Sequence, residues 1–183
     1  MTCWKCHEAV EGPACVSCGS LQPPPPKPDL FEVLGLSRTW AMDRKDIDRA
    51  WRARSRQTHP DRFAGQGALQ KRMALQWTAT LNEARRVLRD RVTRAWYLAT
   101  GAARAPEKGG PVSDQAFLEE VFELQMDAQM GEDITTRAEA LLQTVDHELD
   151  GLFVAWETGD ATLDAVPDVL ARRKYIHNIL VPH

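Results

Sequence analysis

The sequence predicts an all-α protein: a helical hairpin and a C-terminal three-helix bundle, preceded by a small cysteine-rich module. Apolar residues recur at spacings of three and four through most of the chain after residue 28, which is the period of an amphipathic helix. No segment alternates apolar and polar residues as a strand would. All four cysteines lie in the first 18 residues. The 183 residues suffice for one domain or two small ones.

The cysteine module is predicted to span residues 1–22, which contain few aliphatic residues for a core. The pattern is C-x2-C, eight residues, and C-x2-C. Two such pairs supply four thiolates to one tetrahedral Zn²⁺. Because so short a segment has no core of its own, metal binding would supply its folding free energy, about 10–16 kcal/mol in zinc-finger peptides. We therefore expect one structural zinc, bound by Cys3, Cys6, Cys15 and Cys18.

Other uses of these cysteines stay open at this point. Two disulfides would suit a secreted protein, but we see no secretory signal. Residues 3–7 also match the haem-attachment pattern C-x-x-C-H, which would leave the second cysteine pair unexplained. A thioredoxin-like redox motif requires a βαβ unit that this sequence lacks. His7 could also replace one cysteine as a metal ligand.

A proline-rich linker is predicted at residues 23–28. This composition favours extended polyproline II and acts as a stiff spacer. We therefore expect the module to be independent of the rest of the chain. Substituting Cys15 by Ser should unfold residues 1–20 and leave the helical signal nearly intact.

Four helices are predicted in residues 29–100. Asp29 and Asp43 can cap the first two. His59-Pro60-Asp61 ends the second at about Thr58, because proline disfavours helix in the preceding residue. The third covers about 68–89 and the fourth about 91–99. In order, their apolar faces are Phe31 and Leu34; Ile47, Ala50 and Trp51; Leu69, Met73, Trp77, Leu81, Ala84 and Leu88; and Val92, Ala95, Trp96 and Leu98.

A second linker is predicted at residues 101–113, followed by a three-helix domain over residues 114–183. Its helices cover about 114–130, 133–158 and 164–180. The apolar stripe of the second helix is Leu141, Val145, Leu149, Leu152 and Trp156; that of the third is Val166, Val169, Arg173, Ile176 and Leu180.

The helix at 114–130 carries two apolar stripes where a surface helix needs one. Phe117, Val121, Leu124 and Ala128 form the stripe expected to face the core. Leu118, Phe122, Met126 and Met130 form another, bordered by Glu119, Glu123 and Asp127. The second stripe indicates either a partner site with acidic residues at its rim or a helix clasped between two neighbours.

Charge divides the chain into parts of opposite sign. Residues 29–100 carry a net charge of +7 and residues 101–183 a net charge of −10. This asymmetry predicts two surfaces with different partners. No apolar run approaches the ~20 residues of a membrane span, and no targeting segment is recognisable. We therefore expect a cytoplasmic protein without membrane contact. No glycine-rich phosphate loop or serine nucleophile elbow occurs, so we expect no enzyme.

The order of these features resembles that of J domains: a short helix, a basic helix, His59-Pro60-Asp61 and a long antiparallel helix. Residues 59–63, 81–84, 94–98 and 116–120 are similar to the HscB-type co-chaperones of iron–sulfur cluster assembly. Some members of that family carry a zinc module similar to residues 3–18. The resemblance covers about residues 29–180.

This resemblance implies a co-chaperone that docks on a seventy-kilodalton heat-shock chaperone of the HscA or DnaK type and stimulates its ATPase. The basic helix would match an acidic partner surface, which raises the encounter rate and makes it salt-sensitive. The implied chaperone-binding residues are Arg49, Arg52, Arg56, His59, Pro60 and Asp61.

The resemblance also implies a binding site for an iron–sulfur scaffold protein of the IscU type, on the helix at 114–130. Glu119 and Met126 differ in type from the family's residues there. The implied scaffold-binding residues are Leu118, Glu119, Phe122, Glu123, Met126 and Tyr175.

The sequence departs from the family at two further positions. Position 54 is usually a core leucine and is Arg54 here; position 58 is usually large and apolar and is Thr58 here. We expect Arg54 either to lay its aliphatic stem over the core or to make the domain less stable than its relatives.

The alternative function is that of a zinc-containing nucleic-acid-binding protein that uses the basic residues 44–62. The strong acidity of residues 101–183 opposes it, and we expect no nucleic-acid partner.

Overall fold

The structure, a computed structural model, describes residues 1–106 and 110–181. Residues 107–109 of the predicted second linker and residues 182–183 of the predicted C-terminal domain lie outside the described residues. Contacts divide the chain into two compact units, Met1–Arg91 and Val92–His183.

Throughout the described residues the regular structure is helical, which confirms the predicted all-α class. Two isolated antiparallel bridges, in the cysteine module, are the only extended pairings there. The helices are α1 (Leu30–Leu34), α2 (Arg44–Thr58), α3 (Ala68–Arg89), α4 (Arg91–Thr100), α5 (Gln115–Gln129), α6 (Thr135–Thr158) and α7 (Val166–Leu180), with a 3₁₀ turn, Pro60–Phe63, between α2 and α3.

Capping residues set the ends of the first two helices, as the sequence predicts. The side chain of Asp29 accepts a hydrogen bond from the backbone N–H of Phe31 at 2.8 Å, and Asp43 caps α2 in the same way. Gly35 ends α1 with φ at 71°, a left-handed conformation that glycine adopts without strain. His59 ends α2 in an extended conformation before Pro60.

Helices α2 and α3 form the predicted antiparallel hairpin. Arg85 Nε donates to Asp48 Oδ1 at 2.7 Å, and Trp51 Nε1 donates to Asn82 Oδ1 at 3.1 Å. Later positions of α2 therefore meet earlier positions of α3. Helix α1 packs against both. The core between them includes Phe31, Leu34, Ile47, Phe63, Met73, Trp77, Leu81, Ala84, Val87 and Leu88.

The predicted apolar face of α3 is wrong at its first position. Leu69 is 43% exposed, and its neighbour Gln70 is buried instead. The side-chain oxygen of Gln70 accepts a hydrogen bond from the backbone N–H of Leu21 at 2.8 Å. A buried polar group needs such a partner, and the partner comes from the cysteine module.

The cysteine module consists of two knuckles with the same backbone course. The bridges Thr2–Ala9 and Ala14–Leu21 close them. In each knuckle the backbone N–H of the first cysteine donates to the carbonyl five residues later, at 2.8 Å from Cys3 to Glu8 and at 2.9 Å from Cys15 to Ser20.

The module is hydrogen-bonded to α3, so the proline run does not isolate it. Leu21 and Gln22 are both buried. Trp77 Nε1 donates to the carbonyl oxygen of Gln22 at 2.7 Å, next to the bond between Leu21 and Gln70. The expectation that Cys15→Ser would leave the helices unaffected therefore does not fit this packing.

In the second unit, α7 packs against both α5 and α6. The prediction for α6 is wrong in detail: Phe153 is fully buried, whereas Leu152 and Trp156 are half-buried. The buried row follows steps of four residues through Val145, Leu149 and Phe153, because these steps keep one face of the helix.

Ala128 was predicted to face the core and is exposed in the last turn of α5. Burying the single methyl group of Ala128 would gain only about 0.8 kcal/mol, so it contributes little to holding the end of α5 against the core.

None of the described helices combines the length and the apolar character that crossing a membrane requires.

Candidate functional site

The four cysteine sulfurs face one another in a compact cluster. All four Sγ atoms lie within 4.8 Å of one another; Cys3 and Cys18 are 3.7 Å apart and Cys6 and Cys15 are 3.5 Å apart. A tetrahedral ion with metal–sulfur bonds near 2.3 Å requires sulfur separations of about 3.8 Å. Disulfide sulfurs lie about 2.05 Å apart, and all four thiols are free. The cluster therefore fits a metal ion and is not a pair of disulfides.

The thiols of the cluster differ in acidity. Burial raises the pKa of Cys3, but hydrogen bonds from the backbone N–H groups of Cys6 and Lys5 and from neighbouring thiols bring it down to about 6. A hydrogen bond from the Glu8 backbone lowers the pKa of Cys6, yet burial and the other thiols raise it to about 12. Such a set releases its first protons readily and resists accumulating further negative charge. A bound cation would remove that resistance.

His7 does not belong to this cluster of ligand atoms. It occupies the first knuckle at the position that Gly19 occupies in the second, and both residues are left-handed, with φ of 63° and 70°. His7 therefore adopts the left-handed conformation of the turn, and its ring is not among the clustered ligand atoms.

The tripeptide His59-Pro60-Asp61 joins α2 to the 3₁₀ turn and is open to solvent. The side chains of His59 and Asp61 are 56% and 91% exposed. The backbone N–H of Asp61 donates to Nδ1 of His59 at 3.3 Å, so a neutral ring carries its proton on Nε2. Pro60 takes the first position of the turn, where its missing N–H costs nothing. The turn holds an imidazole and a carboxylate side by side on the surface.

A basic face leads along α2 to this turn. Arg49, Arg52 and Arg56 are all exposed. Arg49 forms an ion pair with Asp46 at 2.9 Å, but its side chain is 77% exposed and remains accessible. Arg62 Nη1 donates to the carbonyl oxygen of Arg56 at 3.1 Å and so ties the turn to the end of the helix. The exposed arginines of α2 therefore lead directly to the turn, which carries the imidazole of His59 and the carboxylate of Asp61.

The second stripe of α5 faces solvent, as the partner-site interpretation requires. Leu118 is 40% exposed, Phe122 62%, Met126 41% and Met130 67%. The opposite stripe of α5 is buried through Phe117, Val121 and Leu124. On α7, Tyr175 is 42% exposed. The acidic side chains of Glu119 and Glu123 lie exposed on the same helix as the stripe.

Sequence reasoning missed a buried arginine that joins three helices. Arg172 of α7 is only 9% exposed. It contacts Asp114 at the start of α5, Glu148 of α6 and Asp168 of α7. These hydrogen bonds raise the pKa of Arg172, chiefly through Glu148. Arg173 was predicted to lie on the apolar stripe, whereas the buried arginine is Arg172. Nothing in the sequence indicated that the partners of Arg172 would come from two other helices.

The DnaJ domain family matches residues 29–97. The co-chaperone protein HscB homologue of Bordetella avium is 43% identical over 74 residues, and that of Bordetella pertussis 40% identical over 96 residues. Residues 29–97 therefore match a J domain, and the chain is similar to HscB co-chaperones. The match covers 40% and 52% of this chain, and spans about half the length of the two relatives, 44% and 56%.

A longer match extends beyond the J domain. The iron-sulfur cluster co-chaperone protein HscB of Mus musculus is 28% identical over 187 residues, covering 97% of this chain and 79% of that protein. The crystal structure of human co-chaperone protein HscB shares the fold, with a TM-score of 0.75 and 23% identity over 98% of this chain and 94% of the human chain. Chaperone HscB from Vibrio cholerae gives a TM-score of 0.58 and 25% identity, over 83% and 93%.

The matching relatives are named as co-chaperones. This agrees with the sequence-based expectation that the chain is not an enzyme.

Proposed function

We propose that this protein is a J-domain co-chaperone of iron–sulfur cluster assembly that stimulates the ATPase of a seventy-kilodalton chaperone of the HscA or DnaK type. The observation that carries the proposal is the solvent-exposed His59-Pro60-Asp61 turn at the end of the basic helix α2, within a J domain. The iron–sulfur role follows the name of the mouse relative.

The basic face of α2 promotes the first step of binding, the diffusional encounter with the chaperone. Exposed arginines on α2 attract an acidic partner surface over a range of about 10 Å at moderate salt. Arg49, Arg52 and Arg56 have this role. The exposed imidazole and carboxylate of the turn then make the short-range contacts that select the ATPase-competent arrangement of the chaperone.

The exposed stripe of α5 supplies the client site. It binds an iron–sulfur scaffold protein of the IscU type, and the contacting surface of that scaffold protein must include an apolar patch. Exposed aromatic and aliphatic side chains with a polar rim are typical of the centre of an interface. The residues assigned to it are Leu118, Glu119, Phe122, Glu123, Met126 and Tyr175.

The metal of the module is Zn²⁺ in this proposal, held by Cys3, Cys6, Cys15 and Cys18. The separations of the sulfurs fit a four-thiolate tetrahedral site, which is the usual structural zinc site. When bound, the ion supplies folding free energy to the module and takes no part in a reaction.

Substituting Asp61 by Asn tests the chaperone proposal. The variant should lose stimulation of the chaperone ATPase while its thermal unfolding stays unchanged, because the Asp61 side chain is 91% exposed. Glu32→Gln removes the same charge from α1 and should stimulate like the wild type. The measurement is steady-state ATP hydrolysis by a purified HscA-type chaperone. Wild-type stimulation by Asp61→Asn would contradict the proposal.

A further inference from the structure

An open groove separates the cysteine module from the end of α2 and the 3₁₀ turn. Its volume is about 710 Å³. The module lines the groove with residues 9, 11–16 and 19, the segment after the tripeptide with Arg62, Phe63 and Gln66, and α2 with Arg54 and Gln57. The groove is thus lined jointly by the four-thiol module and by the residues that directly follow His59-Pro60-Asp61.

Arg54 is the unusual member of this lining. It is half-buried, and its guanidinium lies against Gly35, so that Nη2 would be 2.8 Å from a Cβ atom at that position. Among the described residues no carboxylate forms an ion pair with Arg54, although Glu11 and Glu32 line an adjacent cavity with it. An arginine side chain is always charged and offers five N–H donors. A guanidinium held in place without a protein acceptor is suited to bind an anion.

We infer that this groove receives an acidic segment of the seventy-kilodalton chaperone, with a carboxylate of that segment bound by Arg54. The inference rests on the proposed function. Continuity supports this occupant: Gln57 precedes the His59-Pro60-Asp61 turn by two residues, and Arg62 follows it directly. A chaperone docked on the turn therefore lies next to residues that line the groove.

Charge also favours an acidic occupant. The groove has two arginines, Arg54 and Arg62, against the single acid Glu11. Arginine pairs with carboxylates through two parallel hydrogen bonds, which gives both affinity and orientation. Across the groove, Val16 is 95% exposed and offers an apolar contact to the same segment.

The inference gives the module a role in partner binding. Cys15 and Val16 belong to the second knuckle, whose shape depends on the four-thiol cluster. Metal binding therefore fixes one wall of the groove, while the J domain fixes the other. The module extends the chaperone-docking surface beyond the J domain.

The test compares Arg54→Leu with Arg72→Leu, which removes the same charge from the exposed side of α3. The measurement is the dissociation constant for a purified HscA-type chaperone, by calorimetry, at several salt concentrations. Arg54→Leu should bind roughly three- to tenfold more weakly with a shallower salt dependence, since one desolvated charge pair is lost. Arg72→Leu should stay within about twofold of the wild type.

A second variant distinguishes a loss of binding from a folding defect in Arg54→Leu. Val16→Asp changes a fully exposed side chain and places a negative charge on the module wall, so it should weaken chaperone binding by a similar factor through repulsion. Wild-type affinity in both Arg54→Leu and Val16→Asp would overturn the groove inference. If the chaperone ATPase responds to neither the wild type nor Asp61→Asn, the proposed function itself fails.

Discussion

At the scale of single residues, Asp48 shows how charge holds the helical hairpin together. Its carboxylate accepts a hydrogen bond from Arg85 at 2.7 Å and lies 3.7 Å from Arg89. The hydrogen bond from Arg85 is the main cause that lowers the pKa of Asp48 below its ordinary value of 3.8. Because the folded-state pKa is lowered, ionised Asp48 stabilises the fold at neutral pH, and this contribution is lost as the pH falls through the lowered value.

Asp48→Asn should therefore lower the thermal midpoint at pH 7, and its difference from the wild type should shrink below about pH 4. The measurement is a series of melts followed by circular dichroism from pH 3 to 7. Asp46→Asn is the matched control, because its ion pair with Arg49 is largely exposed and should matter less. A difference between Asp48→Asn and the wild type that does not depend on pH would refute this account.

Arg54 and Thr58 are the two positions where the sequence departs from the resemblance, and the structure accommodates both. The hydroxyl of the buried Thr58 donates to the backbone carbonyl of Arg54 at 3.1 Å, so this polar atom is satisfied within α2. Arg54 is half-buried, its guanidinium lies against Gly35, and the residue is one of those that line the groove.

At the scale of elements, α5 buries one apolar stripe and exposes another on the opposite face. The double variant Leu118→Ala/Phe122→Ala should weaken binding of an IscU-type scaffold by about tenfold or more, because truncating a central apolar anchor can cost ~2 kcal/mol. Its thermal midpoint should change little, since the two side chains are 40% and 62% exposed. A scaffold titration and a melt on the same protein give both values.

Phe117→Ala/Val121→Ala is the control on the buried face of the same helix. Both side chains are at most 5% exposed, so this pair should destabilise the second unit by ~2–5 kcal/mol per large-to-small change. If the exposed pair instead destabilises the protein and leaves scaffold affinity unchanged, the second stripe belongs to packing.

At the scale of the whole molecule, the buried contact between the module and α3 couples metal binding to the J domain. Two buried hydrogen bonds, from Leu21 to Gln70 and from Trp77 to Gln22, join them. If a metal holds the module folded, as proposed, losing that metal would unfold the module and leave the groups on α3 without partners. Each such unpaired buried group costs about 1–3 kcal/mol.

Removal of the metal by a chelator should therefore lower the midpoint of helix unfolding by several degrees, since ~1 kcal/mol corresponds to about 4–8 °C in a domain of this size. In Trp77→Phe, which lacks one of the two bonds, the shift caused by chelation should be smaller. The measurement is ellipticity against temperature, with and without chelator. Identical midpoints in the wild type would mean that the module folds independently.

The sequence by itself determined the class of fold, the helix positions and the candidate residues of each site. Helical periodicity depends on local spacing, and the signals that end helices, such as Asp43 and Pro60, act within one turn. The cysteine spacing likewise predicted the four-thiol cluster, because two C-x2-C knuckles bring four sulfurs to one ion. For α5, the second apolar stripe indicated either a partner site or a helix clasped between two neighbours, and the structure shows that the stripe is exposed.

Only the tertiary structure decided which polar residues are buried and what they contact. Gln70 is buried because the module supplies a donor from 49 residues away, and Arg172 is buried because acids of α5 and α6 converge on it. No periodicity encodes such pairs, since their energy depends on distances between segments remote in sequence. The same reason explains the groove at Arg54: its walls come from two segments that the proline run separates in sequence, and that buried hydrogen bonds bring together.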